Sequence, residues 1–114
     1  MAASITMTRG DTRIIPMQIN DSAGAAVDLT GMAVRWWLAK SVRATAYALQ
    51  LSIGSGVTIV NAAGGRLDVI ITAAQSAVLE GQYYFELELT SGSQVFTPAD
   101  TKGTLTVVAD LIRP

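Results

Sequence analysis

Apolar and polar residues alternate with a period of two along most of the chain, the repeat of strands whose successive side chains point to opposite faces. Ile5 and Met7 alternate with Ser4, Thr6 and Thr8 and predict a first short strand. Arg9-Gly10-Asp11 reads as a hairpin turn, since glycine supplies the positive φ that tight reversals need. Ile15, Met17 and Ile19 mark a second strand, with Ile14, Pro16 and Gln18 on its other face. Pro16 cannot donate to a ladder, which predicts an edge or a bulge there. Asp21-Ser22-Ala23-Gly24 predicts a loop, and Val27 to Gly31 a tight connection ending at Gly31. Residues 32 to 39 form the next strand, with Met32, Val34, Trp36 and Leu38 on one face and Arg35 and Trp37 on the other.

The pattern weakens between Ser41 and Ser52. Tyr47, Leu49 and Leu51 alternate as in a strand, although Ala44, Ala46 and Ala48 would also suit a helix. Gly54-Ser55-Gly56 predicts a turn, followed by a strand at Val57 and Ile59, a reversal at Asn61 to Gly65, and a strand at Leu67, Val69 and Ile71. Thr72 with Gln75 has capping-box spacing, and the Ala-rich stretch ending at Gly81 predicts a two-turn helix near residues 73–80. Tyr83, Phe85, Leu87 and Leu89 face one way on a strand from Gln82 to Thr90, with Tyr84, Glu86 and Glu88 facing the other. Ser91-Gly92-Ser93 turns into a short strand at Gln94 to Thr97, and Leu105 and Val107 mark the last strand. Eight or nine short half-buried strands predict an all-β, antiparallel β-sandwich and argue against a parallel α/β sheet. No linker or repeat divides the sequence, so residues 1–114 are read as one domain.

Composition sharpens the picture. The sequence is 50% hydrophobic and 15% charged, against about 25% charged in an ordinary soluble domain, and mean hydropathy is +0.39. No apolar run approaches the ~20 residues that cross a bilayer, so no membrane span is expected, and Met1 to Met7 lacks the pattern of a signal peptide. Excess apolar character of this kind predicts surface covered by another protein chain. Net charge is −1 and the eight Lys and Arg are scattered, which gives nucleic-acid binding no electrostatic footprint. The chain contains neither cysteine nor histidine, which removes thiolate chemistry, the commonest metal ligands and the usual neutral-pH proton shuttle. No metal, cofactor or small-molecule substrate is expected, and neither is an enzyme.

The ordered segments ITMTRGDT (5–12), VDLTG (27–31), VTIVNAAGGRLDVIIT (57–72), EGQYYFELEL (80–89) and GTLTVVAD (103–110) resemble the immunoglobulin-like N-terminal domain of bacteriophage upper baseplate proteins and related prophage tail-module structural proteins. That resemblance implies an immunoglobulin-like sandwich located in the virion, after assembly in the bacterial host cytoplasm, and built into symmetric multimers. Its partners would be other virion structural proteins and further copies of itself. In baseplate members further segments follow this domain, whereas the sequence here stops at Pro114, so a tail adaptor or a capsid decoration protein fits alongside a baseplate part.

Candidate interface residues follow from strand phase. If Trp36 points into the core, Trp37 points out, accompanied by Arg35 on its own strand and by Ile14, Ile70, Tyr84 and Val108 in the outward phase of theirs. Outward aromatic and β-branched residues are typical interface anchors, although scattered exposed apolar residues are also ordinary on protein surfaces. Assembly would use these residues together with strand-edge pairing, and the segment Met1 to Ser4 would be free to reach a neighbour. The alternative is a carbohydrate- or receptor-binding module in which Trp37 and Tyr84 stack on a sugar. Arg9-Gly10-Asp11 matches an integrin-binding tripeptide, but turn chemistry accounts for it. Glu86 and Glu88 are neighbours on one strand face, which suits solvation or an intersubunit salt bridge better than the cleft a glycosidase needs.

Overall fold

The computed structural model describes residues 3–21, 23–41, 43, 46–96 and 103–109. Met1, Ala2, Ser22, Ala44, Thr97 and Asp110, on which parts of these expectations fall, lie outside the described residues, whereas Ala3 and Ser4, expected to be free to reach a neighbour, are held in a strand ladder against Gly103 and Thr104. The alternating segments become nine strands and one short helix among the described residues. These are β1 (Ala3–Thr8), β2 (Arg13–Gln18), β3 (Ala33–Ala39), β4 (Leu49–Ile53), β5 (Gly56–Asn61), β6 (Arg66–Ile71), α1 (Ala73–Ser76), β7 (Gly81–Ser91), β8 (Gln94–Phe96) and β9 (Gly103–Val108). The chain is all-β.

The strands form one hydrogen-bonded path in the order β1-β9-β7-β3-β4-β5-β6-β2, with β8 paired to β7 beside it. Most pairings are antiparallel, but the expectation of a purely antiparallel arrangement is corrected at two places. β1 runs parallel to β9 through six register pairs, Ala3 with Gly103 to Thr8 with Val108. β4 and β5 meet in a two-pair parallel match, Ser52 with Gly56 and Ile53 with Val57. There the chain turns a corner rather than reversing: Ser55 N–H donates to the Ser52 carbonyl and Gly54 N–H to the Val57 carbonyl. Gly54 and Gly56 have φ of 81° and 102°. A Cβ on Gly56 would also lie 2.7 Å from the Leu51 side chain.

On either side of that corner, the β1-β9-β7-β3-β4 and β5-β6-β2 segments send their apolar phase into one shared core. Val34, Trp36, Leu38, Phe85, Leu87 and Leu105 enter it from the first, and Ile15, Val57, Leu67, Val69 and Ile71 from the second. Pro16 sits on β2, the strand at one end of the path, where its missing N–H is tolerated.

Arg9-Gly10-Asp11 is a turn, with Asp11 N–H donating to the Thr8 carbonyl, but not a hairpin turn. The strands it joins, β1 and β2, end opposite ends of the path. The turn is instead pinned to α1. Ser76, wholly buried, accepts from Gly10 N–H at 3.0 Å and donates to the Asp11 carbonyl at 2.7 Å, while Arg9 Nε donates to the Ala77 carbonyl.

The capping box on α1 forms as expected, with reciprocal bonds between Thr72 and Gln75. The helix is shorter than the Ala-rich sequence predicts, four residues instead of residues 73–80. Leu79 N–H bonds to the Ser76 carbonyl, and this tighter turn delivers Leu79 into the core, where burial outweighs helix propensity.

Candidate functional site

β3 lies between β4 and β7, so its outward side chains stand at the centre of a three-strand face. Alternation buries Trp36 completely, its ring 5.5 Å from that of Phe85, and turns Trp37 out. Trp37 is flanked in register by Gln50 on β4 and Glu86 on β7, and Arg35 by Ser52 and Glu88. The Tyr47 ring leans on Trp37 with centroids 4.5 Å apart and planes at 55°. On the other side the Arg35 guanidinium lies 5.3 Å from the Trp37 ring centroid while it pairs with Glu88. Trp37 is therefore half-buried by its own chain, an aromatic centre ringed by Gln50, Ser52, Glu86 and Glu88. An aromatic anchor within a polar rim is the usual anatomy of a binding face.

The electrostatics here are mild. Arg35 is compensated by Glu88, which leaves Glu86 as the net negative charge of the face. The pair is solvent-exposed, so it orders the arginine over the indole more than it stabilises the fold, contributing about 0–1 kcal/mol. Of the two glutamates, expected to be either solvated or engaged in an intersubunit salt bridge, Glu88 pairs within the chain with Arg35 and Glu86 is exposed.

The six candidate interface residues do not form one patch. Arg35 and Trp37 are together, and Tyr84, 39% exposed, stands one residue row along, opposite Ala39. Ile14, 54% exposed, faces half-buried Ile70 across β2 and β6 on the other side of the corner. Next to them Pro16, Val60, Arg66 and Asp68 help line a shallow groove of about 410 Å³. Val108, 41% exposed, stands apart on β9 opposite Thr8.

Sequence reasoning missed Tyr47 as a member of the aromatic face. Its phase with Leu49 and Leu51 would place it inward, but β4 begins only at Leu49, and period-two geometry does not extend to residues outside the strand. Ala48 N–H, bonded to the Leu38 carbonyl, holds the preceding segment beside β3.

Comparison with protein-family models finds no match to this chain, and comparison with curated proteins finds none.

Proposed function

We propose that this chain is a non-enzymatic structural component of a bacteriophage virion, an immunoglobulin-like sandwich module that joins virion proteins as a baseplate or tail adaptor or as a capsid decoration protein. The observation that carries the reading is the outward aromatic pair Trp37–Tyr47 with its polar rim. A low-charge chain that places an indole and a phenol on the middle of an open strand face gains most by covering them with another protein. Exposed Ile14, backed by half-buried Ile70, supplies a separate contact, and contacts repeated around a symmetry axis add up through high effective concentration. The order of the ITMTRGDT, VDLTG, VTIVNAAGGRLDVIIT and EGQYYFELEL segments supports a place in the tail module.

The test combines mass spectrometry of purified particles with cryo-EM localisation, followed by Trp37→Ala. Incorporation of the variant is expected to fall at least about tenfold, the equivalent of one modest anchor, with its melting temperature preserved. Particles that lack the chain, or that take up Trp37→Ala as readily as the parent, would overturn the proposal.

A second reading, a carbohydrate-binding module, draws on the same face, since Trp37 and Tyr47 offer stacking surface beside the amide of Gln50 and the carboxylate of Glu86. Glycan-array binding by a strictly monomeric chain, lost in Trp37→Ala, would favour it.

A further inference from the structure

We infer that the free edge of β1 is a homotypic docking edge, at which two copies of this chain pair their β1 strands antiparallel and continue one sheet across both. The inference rests on the assembly reading and names a surface and an occupant for it.

β1 ends the strand path, so the edge facing away from β9 carries main-chain N–H and C=O groups with no ladder partner among the described residues. Proteins usually blunt such edges with charge, proline, a bulge or extreme shortness. The strand at the opposite end of the path has two of these devices, Arg13 and Pro16 on β2. β1 has none of them. Its sequence from Ala3 to Thr8 contains no charged residue, no proline and no glycine, and its register with β9 is unbroken over six pairs.

A second β1 is the occupant that this strand fits. If Thr6 stands opposite Thr6 of the other copy, Ile5 falls opposite Met7, and Ser4 opposite Thr8. Apolar side chains then meet apolar ones on the core side, hydroxyls meet hydroxyls on the outer side, and no charge opposes its like. Ile5 also marks where cover is missing, since it stays half-buried although Met7, two residues on, is buried. The other copy's strand would close over it. At a net charge of −1 per copy, long-range repulsion between the two is small.

Because the chain has no cysteine, Thr6→Cys introduces a single thiol, and mild oxidation of the folded protein is expected to give a covalent dimer. Thr58→Cys, exposed on β5, is the control and is expected to stay largely monomeric. In light scattering across a concentration series the parent chain is expected to dimerise. Thr6→Lys, which sets two ammonium groups against each other at the pair's centre, is expected to weaken the dimer at least about tenfold. Trp37→Ala is expected to leave the dimer intact, which separates this edge from the aromatic face. A parent that is monomeric throughout, a Thr6→Cys chain that cross-links no better than Thr58→Cys, or a dimer lost in Trp37→Ala but kept in Thr6→Lys would each overturn the inference. The cross-link needs no destabilising charge, so it decides the matter even if Thr6→Lys fails to fold. Particles lacking the chain would sink the virion reading and leave the cross-linking result standing.

Discussion

At position 36 the indole is fully enclosed against Phe85, and Trp36→Ala would remove a large core volume that its neighbours cannot refill. The expected loss is about 3–5 kcal/mol, a large share of the roughly 5–15 kcal/mol that holds a domain of this size together. Urea denaturation should therefore find a midpoint far below that of the parent, where Trp37→Ala moves it little. The two tryptophans could be told apart in the sequence, because Trp36 shares the phase of Val34 and Leu38.

Gly65 raises a different residue-scale question. Its φ is 69°, and a Cβ there would sit 2.6 Å from the Ile19 carbonyl oxygen and 2.8 Å from that of Val27. Gly24 also has a positive φ, but open space surrounds it. Gly65→Ala should thus cost clearly more stability than Gly24→Ala in the same urea titration. At Asp28 the Thr30 hydroxyl, and then its N–H, donate to the carboxylate and hold it below its ordinary value of 3.8. The unfolded chain binds that proton more tightly, so the contribution is present above pH 3.8 and is lost as pH falls through the lower folded value. Melting curves of the parent and Asp28→Ala should differ slightly at neutral pH and converge in acid.

At the level of elements, the one-turn helix acts as a bolt for the β1–β2 turn. Losing the cap in Thr72→Ala should cost about 1 kcal/mol. Ser76→Ala should cost about 1–3 kcal/mol, because it removes two partly buried hydrogen bonds at once, to the Gly10 N–H and the Asp11 carbonyl. Hydrogen exchange checks the mechanism: the Gly10 amide should lose protection in Ser76→Ala and keep more of it in Thr72→Ala. The capping box could be read from Thr72 and Gln75 alone. The helix length could not, since the alanines report local propensity while the pull of Leu79 toward the core exists only in the folded chain. The place of Tyr47 is not legible for a similar reason: it precedes β4, so strand phase does not govern its side chain, which packs on Trp37.

For the molecule as a whole, alternation revealed which side chains face inward but not which strand sits beside which. The phase of Ile5 and Met7 fits a hairpin with β2 as well as it fits pairing with β9, and Arg9-Gly10-Asp11 invited the hairpin. Tertiary structure chose β9, about a hundred residues away, because β1 and β2 flank the core from opposite ends of the path. Both clusters of the candidate surface follow from phase, but their separation follows only from the topology. Folding must bring β1 to β9 across nearly the whole chain, an expensive loop to close.

That parallel ladder also decides how the protein carries mechanical load. Tension applied at Ala3 and Val108 acts on opposite ends of two strands that run side by side, so the ladder bonds must slide and fail together. Tension applied at Thr8 and Val108, which are register partners, opens the same ladder one rung at a time. Single-molecule pulling should find the first geometry clearly the stronger, so that a chain tethered through β1 and β9 resists traction along the direction in which those strands point.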